Sequence, residues 1–394
     1  VIRDGPTIVA RLDVGTLAEA PVYVREPRPS EEMLRHRRMD LAALPDTRDP
    51  SADLLRLLAS PNVASRRLVY RQYDHQVGTN TVVLPGEGDA AVLRIRGTAR
   101  AIAVATDGNG RIAALDPFAG GAAAVAEACR NVVCAGGEPV ALTDCLNFGN
   151  PERPEVYYQL SRAIDGMAEA SRALGAPVVS GNVSLYNESG GTAVHPTPVV
   201  GALGLLEDVS HATRKAFAES GCIVYLLGTP LRGDPSLLAA SEYLNVAGHE
   251  LGGQPAIDLD LEARLQRCTL AAIRSGLVRA AHDCSEGGVA VALAEACIAG
   301  GLGLDASSVV EDDRIDAFWF GEGQSRIVMA IESGDEVRLS ALAMEHDVPL
   351  SRLGVVGGDR LRLGSRIHLS LATARAAYER GLEQALATVE AGVA

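Results

Sequence analysis

Short apolar runs alternate with helical apolar stripes along residues 66–208. The runs are too short for helices and predict strands, whereas apolar residues at i, i+4, i+7 and i+8 predict helices. The predicted strands lie at 91–95, 101–105, 139–144 and 178–179. The predicted helices follow Gly120-Gly121 and Pro154, and they end at Gly136 and Gly175. The local order is therefore strand, helix, strand, and we expect ligand-binding residues where strands end.

The second half of the chain repeats this alternation with different spacing. Strands are predicted at 222–228, 278–283 and 325–331. Helices are predicted at 261–275, from Gly287-Gly288 through 297, and at 372–386. Together with the first half, this order predicts a fold that combines α/β and α+β parts.

We divide the chain into five segments. They are a tail of a preceding domain at 1–30, a linker wrapped on the surface at 31–65, domains at 66–208 and 209–370, and a C-terminal helix at 371–394. The chain begins with Val1 rather than methionine, and a strand-like run follows at 7–12. We therefore expect an upstream portion to be missing.

Composition narrows the classes of function. The 394 residues carry a formal net charge of -14, which argues against non-specific nucleic-acid binding because that needs a basic surface. The seven cysteines form no CxxC pair, so free thiols in a reducing cytoplasm are expected. No apolar stretch is long enough to span a bilayer, so no membrane partner is expected.

The strongest candidate chemistry follows two neighbouring predicted strands. Asp144 ends one strand, with Asn147 close behind, and a carboxylate there suits a nucleotide or a cation. Gly181, Asn182 and Ser184 follow the next strand and offer bare backbone, an amide oxygen and a hydroxyl. The alternative is that these polar side chains only form turns and cap the backbone.

Three other segments carry weaker signals. Gly120-Gly121 before a helix is a possible anion site, although many helices begin with glycine. The run 282–288 contains a histidine with acids, and we favour a loop in which Ser285 or Glu286 caps the following helix. The polar run 71–81 is either an active-site segment or a domain interface, and we favour the interface.

Read together, these segments resemble the second half of phosphoribosylformylglycinamidine synthase, synthetase subunit, of the smaller bacterial type. The resemblance covers nearly the whole chain, and Gly-Asn-Val-Ser-Leu-Tyr-Asn-Glu at 181–188 is its most specific string. The other matching segments are 70–74, 116–130, 143–151, 197–201, 241–244 and 281–288.

The resemblance implies an aminoimidazole ribonucleotide synthetase-like module. This family fuses two copies, each with an N-domain that helps to build a central β-barrel and a flanking α+β C-domain. On that basis 1–30 is the end of the first C-domain, and 66–208 and 209–370 are the N- and C-domains of the second copy.

Four site residues carry over by resemblance. Asp144 and Gly181 match ATP-binding positions, Asn182 matches a magnesium ligand, and Ser184 matches a substrate-binding serine. No catalytic residue is expected here, because the family's catalytic histidine lies in the first copy and 105–110 has none. Asp283 takes the place of a metal-binding aspartate, and Glu322-Gly323-Gln324 replaces a substrate segment of that copy, so this second site is expected to have lost catalysis.

The resemblance also implies a reaction and partners. The enzyme would be a ligase that uses ATP and Mg²⁺ to convert formylglycinamide ribonucleotide to the amidine with glutamine-derived ammonia, in cytoplasmic purine biosynthesis. A glutaminase subunit, a small bridging subunit and the missing N-terminal half would be its partners. Two alternatives stay open: a non-catalytic half that braces the barrel and docks the glutaminase, and a stand-alone aminoimidazole ribonucleotide synthetase-like enzyme.

Overall fold

The computed structural model describes residues 1–19 and 22–393. Residues 20, 21 and 394 fall in the predicted tail and the predicted C-terminal helix, and they lie outside the described residues. The first elements are β1 (Ile2–Asp4), β2 (Thr7–Ala10), α1 (Val14–Ala18), α2 (Glu31–Arg37), α3 (Pro50–Ala59) and α4 (Arg67–Tyr70). Strands β1 and β2 pair antiparallel as an isolated hairpin.

Helix α3 belongs to a core rather than to a surface linker. Leu54, Leu57 and Leu58 are fully buried against the apolar cluster of the second half of the chain. Their i, i+3, i+4 spacing makes one apolar stripe, and burying that stripe is favourable. The prediction that this segment wraps on the surface is wrong for α3, while the domain boundaries themselves stay a prediction.

A six-stranded sheet organises residues 81–206. The elements of this part of the chain are β3 (Thr81–Val83), β4 (Ala91–Arg94), β5 (Ala101–Asp107), α5 (Gly110–Leu115), α6 (Pro117–Cys134), β6 (Glu138–Asn147), α7 (Pro154–Leu174), β7 (Val178–Ser184), β8 (Glu188–Ser189), β9 (Thr192–Ala193) and β10 (Thr197–Leu206). Strands β8 and β9 pair only with each other, as a separate hairpin. The strand order is β3-β4-β5-β10-β6-β7, and only β6 and β7 run parallel. Strand β7 therefore lies at one edge.

Helix α6 begins earlier than its glycines suggest. Asp116 caps it by accepting a hydrogen bond from the Ala119 N–H, and Pro117 occupies its first turn. Gly120 and Gly121 lie inside the helix, where a Cβ would overlap backbone atoms of α5 and α7. The predicted helix start and the possible anion site at these glycines are both wrong, because the glycines serve close helix packing.

The two faces of this sheet differ in what covers them. Helices α6 and α7 pack on one face, where Ala101, Ala103 and Ala105 of β5 are buried. On the other face, Val104 of β5 is 37% exposed and Leu203 of β10 is 38% exposed. The second face is an open apolar surface, and we call it the open face.

A seven-stranded sheet organises the second half of the chain, from residue 223 onwards. Its elements are β11 (Ile223–Gly228), α8 (Glu242–Val246), α9 (Leu259–Arg274), β12 (Val278–Asp283), α10 (Gly288–Gly300), β13 (Leu304–Ala306), α11 (Ile315–Phe320), β14 (Arg326–Ile331), α12 (Glu336–Glu345), β15 (Leu350–Val356), β16 (Arg360–Leu363), β17 (Ile367–Ser370) and α13 (Leu371–Val393). The order is β12-β14-β11-β15-β13-β16-β17, with only β13 and β16 parallel. Mixed sheets covered by helices confirm the predicted fold class. Within the described part of the chain, no helix has both the length and the apolar character needed to cross a membrane.

Candidate functional site

The strongest sequence candidates lie on two paired strands. Asp144 pairs with Gly181 and Asn147 with Ser184 in the parallel register of β6 and β7. Gly181, Asn182 and Ser184 are thus part of β7 rather than of a loop after it, which corrects the expectation that the strand stops before Gly181. The four predicted site residues therefore lie near one another at the C-terminal end of this strand pair.

Asp144 and Gly181 face the helices. Asp144 alternates with the buried Leu142 and Leu146, and a Cβ at position 181 would overlap the Asp144 carboxylate. Gly181 therefore leaves the space that this carboxylate occupies. Partial burial raises the pKa of Asp144, and the adjacent backbone N–H of Asn182 opposes that rise.

Asn182 and Ser184 lie on the open face instead. The Asn182 Nδ2 points to the Cys145 Sγ at 3.9 Å, and Ser184 Oγ donates to Asn187 Oδ1 at 3.1 Å. Side chains alternate across a sheet, so neighbouring positions in β7 serve opposite faces. A ligand that reaches both Asp144 and Ser184 has to cross the free edge of β7.

These residues do not make a magnesium site by themselves. Asn182 supplies one amide oxygen, and Asp144 lies on the other face of the sheet. Among the residues that the structure describes, no group of three or more His, Cys, Asp or Glu side chains is arranged to hold a metal ion. Magnesium takes six oxygen ligands, so most of them would have to come from outside this chain.

The run 282–288 is part of a buried charge network rather than a capping loop. His282 Nδ1 lies 2.7 Å from Asp89 Oδ1, and its Nε2 lies 3.1 Å from Glu295 Oε2, to which Lys215 also donates at 2.7 Å. Asp89 comes from the first sheet region, whereas His282 and Glu295 belong to the second. The network therefore joins the two parts of the chain.

The predicted cap of helix α10 is also wrong. Its N-cap is Gly287, in a left-handed conformation (φ 80°), and no side chain caps the helix. Ser285 and Glu286 do not serve as caps. Glu286 instead accepts a hydrogen bond from Asn109 Nδ2 at 3.2 Å, across the boundary between the two sheets.

Arg130 lies at the centre of a second buried cluster. It pairs with Asp283 and, at 2.8 Å, with Glu262, and its side chain is fully buried. Gln324 accepts a further hydrogen bond at 3.3 Å, and Glu127 lies one helical turn away. The grouping of these side chains around Arg130 was not predicted from the sequence. Its one signal was a charged pair, Glu127 and Arg130, inside an alanine-rich helix.

Carboxyl groups around Arg130 outnumber the cations. Burial and the like charges of Glu286 and Asp283 raise the pKa of Asp107 to about 8. Burial also raises the pKa of Asp283 to about 6, although Arg130 opposes the rise. One oxygen of Asp283, Oδ2, is buried without a hydrogen-bond partner in the described residues. Burial and mutual repulsion therefore favour the protonated form of these carboxyl groups.

The His282 network predicts a particular dependence of stability on pH. Burial alone would lower the pKa of His282, and Lys215 adds to that, but Asp89 and Glu295 outweigh both and raise it to about 9. A folded-state pKa above the unfolded value near 6.5 means that the stabilisation is complete below pH 6.5 and is lost as pH rises to 9. The loss is about 3 kcal/mol.

Chemical denaturation of the wild-type chain and of His282→Gln between pH 6 and 10 checks this expectation. The wild type is expected to lose stability across that window, and the variant is expected to be less stable with a flatter profile. His368→Gln is the control, since His368 is exposed on β17. Equal slopes for wild type and His282→Gln would contradict the prediction.

The polar run 71–81 does not lie at a domain interface in this chain. Residues 71–79 are all exposed, and Tyr73 is 68% exposed. Its hydrogen bonds are largely local, such as Gln76 N–H to Asp74 at 2.8 Å and Thr81 Oγ1 to the His75 carbonyl at 2.6 Å. The expectation of an interface is wrong within the described residues.

The stretch 105–110, which lacks a histidine, borders a cavity of about 390 Å³. Asn109 caps α5 through its Oδ1, and Arg111 pairs with the buried Glu242. His195 from the loop before β10 also lines the cavity. The loss of catalysis in this second site stays a prediction.

Comparison with protein families agrees with this architecture. The model for AIR synthase related protein, N-terminal domain, matches residues 87–206, and the model for AIR synthase related protein, C-terminal domain, matches residues 219–364. The chain belongs to the AIR synthase related family. The two matched ranges contain five of the six strands of the first sheet and six of the seven strands of the second.

Within this family the chain is similar to one kind of subunit. It is 49% identical over 389 residues to phosphoribosylformylglycinamidine synthase subunit PurL from Thermomicrobium roseum. This match covers 97% of this chain and 52% of that protein. The chain thus spans about half the length of the curated relative it matches.

Solved structures show the same fold at low sequence identity. A T. maritima PurL complexed with FGAR matches with a TM-score of 0.66 and 17% identity, over 88% of this chain and 55% of that one. A T. maritima PurL complexed with ATP matches with a TM-score of 0.58 and 19% identity, over 74% of this chain and 47% of that one. At these identities the likeness concerns the fold alone.

Proposed function

We propose that this chain is the C-terminal half of a phosphoribosylformylglycinamidine synthase subunit. In this role it takes part in the ATP-dependent conversion of formylglycinamide ribonucleotide (FGAR) to its amidine with glutamine-derived ammonia. The observation that carries the proposal is the 49% identity to a PurL subunit over 97% of this chain. The pairing of Asp144 with Gly181, beside Asn182 and Ser184, supports this proposal.

Each residue has a role that its chemistry supports. Asp144, over the bare backbone of Gly181, binds ATP from the helix side of the sheet. Ser184 binds FGAR on the open face, and Asn182 offers its amide oxygen there to a magnesium ion. The ATP supplies a phosphoryl group to the amide oxygen of FGAR, and ammonia then displaces phosphate. The edge of β7, which separates the two faces, is where ATP and FGAR would meet.

The open face supports the proposed partner. It exposes apolar side chains on neighbouring strands, among them Val104 and Leu203, although the opposite face is covered by two helices. Exposed apolar patches of this kind mark interaction surfaces. We assign this face to the N-terminal half, with which it would close the barrel. A glutaminase subunit and a small bridging subunit would complete the enzyme.

Reconstitution tests the proposal. This chain is mixed with the separately produced N-terminal half, and amidine formation is measured with ammonia, ATP and FGAR. Activity is expected only with both halves. Asp144→Ala and Asn182→Ala are each expected to lower kcat/KM about 10- to 100-fold, because each removes a polar contact to a charged ligand.

The control is Asp165→Ala, which removes only an exposed ion pair with Arg162 on α7. It is expected to behave like the wild type. If the mixture is active but Asp144→Ala and Asn182→Ala are both fully active, this chain is a scaffold half rather than part of the active site. If the chain alone forms an aminoimidazole product, the stand-alone alternative holds.

The cysteines support a cytoplasmic location for this enzyme. All seven are free thiols, and six of them are buried. Free thiols of this kind are typical of a reducing compartment.

A further inference from the structure

The backbone just after β7 is strained at Tyr186. This residue has a φ of 60°, in the left-handed region that bulky side chains seldom adopt. Glycine or asparagine is the usual residue in such a conformation. A tyrosine kept there calls for a reason other than the turn itself, and strained residues concentrate at functional sites.

Asn187 holds the strained turn in place. Its side-chain amide donates to the carbonyl oxygens of Ser184 at 2.8 Å and Phe148 at 3.2 Å. Its backbone N–H also donates to Phe148 at 3.1 Å, and the Tyr186 N–H donates to Gly149 at 2.9 Å. These bonds tie the end of β7 to the end of β6, so the left-handed conformation is determined from several directions.

The Tyr186 side chain is mostly exposed. Tyr186 is 58% exposed, although its neighbour Leu185 packs against the core of the first sheet. Among the described residues, the Tyr186 hydroxyl has no hydrogen-bond partner. The side chain therefore contributes little packing to this chain, and its exposed ring and hydroxyl are free for a ligand.

Asn187 also fixes the hydroxyl of Ser184. Ser184 Oγ donates to Asn187 Oδ1 at 3.1 Å, so one amide group orients the serine and closes the turn that carries Tyr186. Ser184 and Tyr186 are two residues apart at the same strand end. Both residues therefore belong to the short segment at the end of β7 that carries the proposed FGAR site.

We propose that Tyr186 is a second substrate-contacting residue of this site and that Asn187 positions both Tyr186 and Ser184. The inference rests on the proposed function, which places FGAR at Ser184. A tyrosine ring offers an apolar face to a ribose, and its hydroxyl offers a hydrogen bond to a phosphate or amide oxygen. Tyr186 would thus add affinity for the ribonucleotide without acting on ATP.

Tyr186→Gly in the reconstituted enzyme separates binding from stability. Glycine relieves the strain but makes the unfolded chain more flexible, so the two effects nearly cancel and Tm is expected to stay within about 2 °C. The KM for FGAR is expected to rise about 10-fold, while the KM for ATP stays unchanged.

The matched control is Asp347→Gly. Asp347 is also left-handed (φ 53°) and its side chain is 91% exposed, but it lies between α12 and β15. It is expected to change neither KM. An unchanged KM for FGAR in Tyr186→Gly, in an enzyme that Ser184→Ala impairs, would overturn the inference. Absence of any FGAR-dependent activity in the wild-type mixture would instead count against the proposed function.

Asn187 is tested as a positioning residue. Asn187→Ala is expected to raise the KM for FGAR more than kcat falls, and Ser184→Ala is expected to add little in that background, because both act on one hydroxyl. Asn187→Asp keeps the acceptor for Ser184 and is expected to recover part of the affinity. If Asn187→Ala does not fold, Asn187→Asp is used in its place to test the positioning role. Fully additive effects of Asn187 and Ser184 variants would contradict the positioning role.

Discussion

Arg130→Met is expected to lower the free energy of unfolding by about 3–5 kcal/mol. The substitution leaves Asp283 and Glu262 buried without their cation, and burying an unpaired charge is costly. Arg130 joins α6 of the first sheet to α9 and β12 of the second, so the loss affects the contact between the two parts of the chain. Chemical denaturation of wild type and variant at pH 8 measures the difference.

The matched control is Arg100→Met. Arg100 also pairs with a glutamate at 2.8 Å, but that pair is exposed, with 56% and 61% of its two side chains accessible. Exposed ion pairs contribute about 0–1 kcal/mol. If Arg130→Met costs no more than Arg100→Met, the buried cluster does not hold the two parts together.

The loss of stability caused by Arg130→Met is also expected to depend on pH. Without Arg130, the pKa of Asp283 rises further above its unfolded value near 3.8. When the pKa of a carboxyl group is higher in the folded than in the unfolded state, the protein loses stability as pH rises from the unfolded-state pKa to the folded-state pKa. The variant is therefore expected to be closer to wild type at pH 5 than at pH 8.

Gly181→Ala is expected to weaken ATP binding about 10-fold or more, with little change in stability. The new Cβ would occupy the space of the Asp144 carboxylate. That carboxylate is the end of a flexible side chain, so it can move away from the new methyl group without disturbing the fold. The displaced carboxylate then no longer contacts ATP as before, and ATP binding weakens. The KM for ATP in the reconstituted enzyme and the Tm of the chain are the two measurements.

A double-mutant cycle shows whether Asp144 transmits this effect. In the Asp144→Ala background, Gly181→Ala is expected to cause no further loss, because the group that it displaces is gone. Ser180→Ala, one residue earlier and on the open face, is the control and is expected to leave the KM for ATP unchanged. A Gly181→Ala effect of the same size in both backgrounds would contradict this mechanism.

The strands and helices that position the site follow from local patterns. The helix α7 was predictable because Pro154 opens it, Gly175 closes it in a left-handed conformation, and its apolar residues recur every turn. The same patterns placed Asp144 and Gly181 on neighbouring strands, but they ended both strands too early, because β6 continues to Asn147 and β7 to Ser184. Patterns failed at Gly120-Gly121, because a glycine that permits close helix packing looks the same in sequence as one that starts a helix.

Other features depend on partners far away in the chain. Arg130 and Asp283 are separated by 153 positions, and His282 and Asp89 by 193, so no local pattern relates them. The left-handed Tyr186 contradicts its own propensity, and it is explained only by the bonds of Asn187 to two strand ends.

The family resemblance, the mixed α/β and α+β class and the four site candidates Asp144, Gly181, Asn182 and Ser184 were all predictable from the amino-acid sequence. These rest on residue identity and short-range periodicity, which any single chain displays. The fold was needed to show that Asp144 and Gly181 face the helices while Asn182 and Ser184 face the open side. The face to which a side chain points depends on which strand lies beside it and in which register, and both depend on contacts between distant parts of the chain.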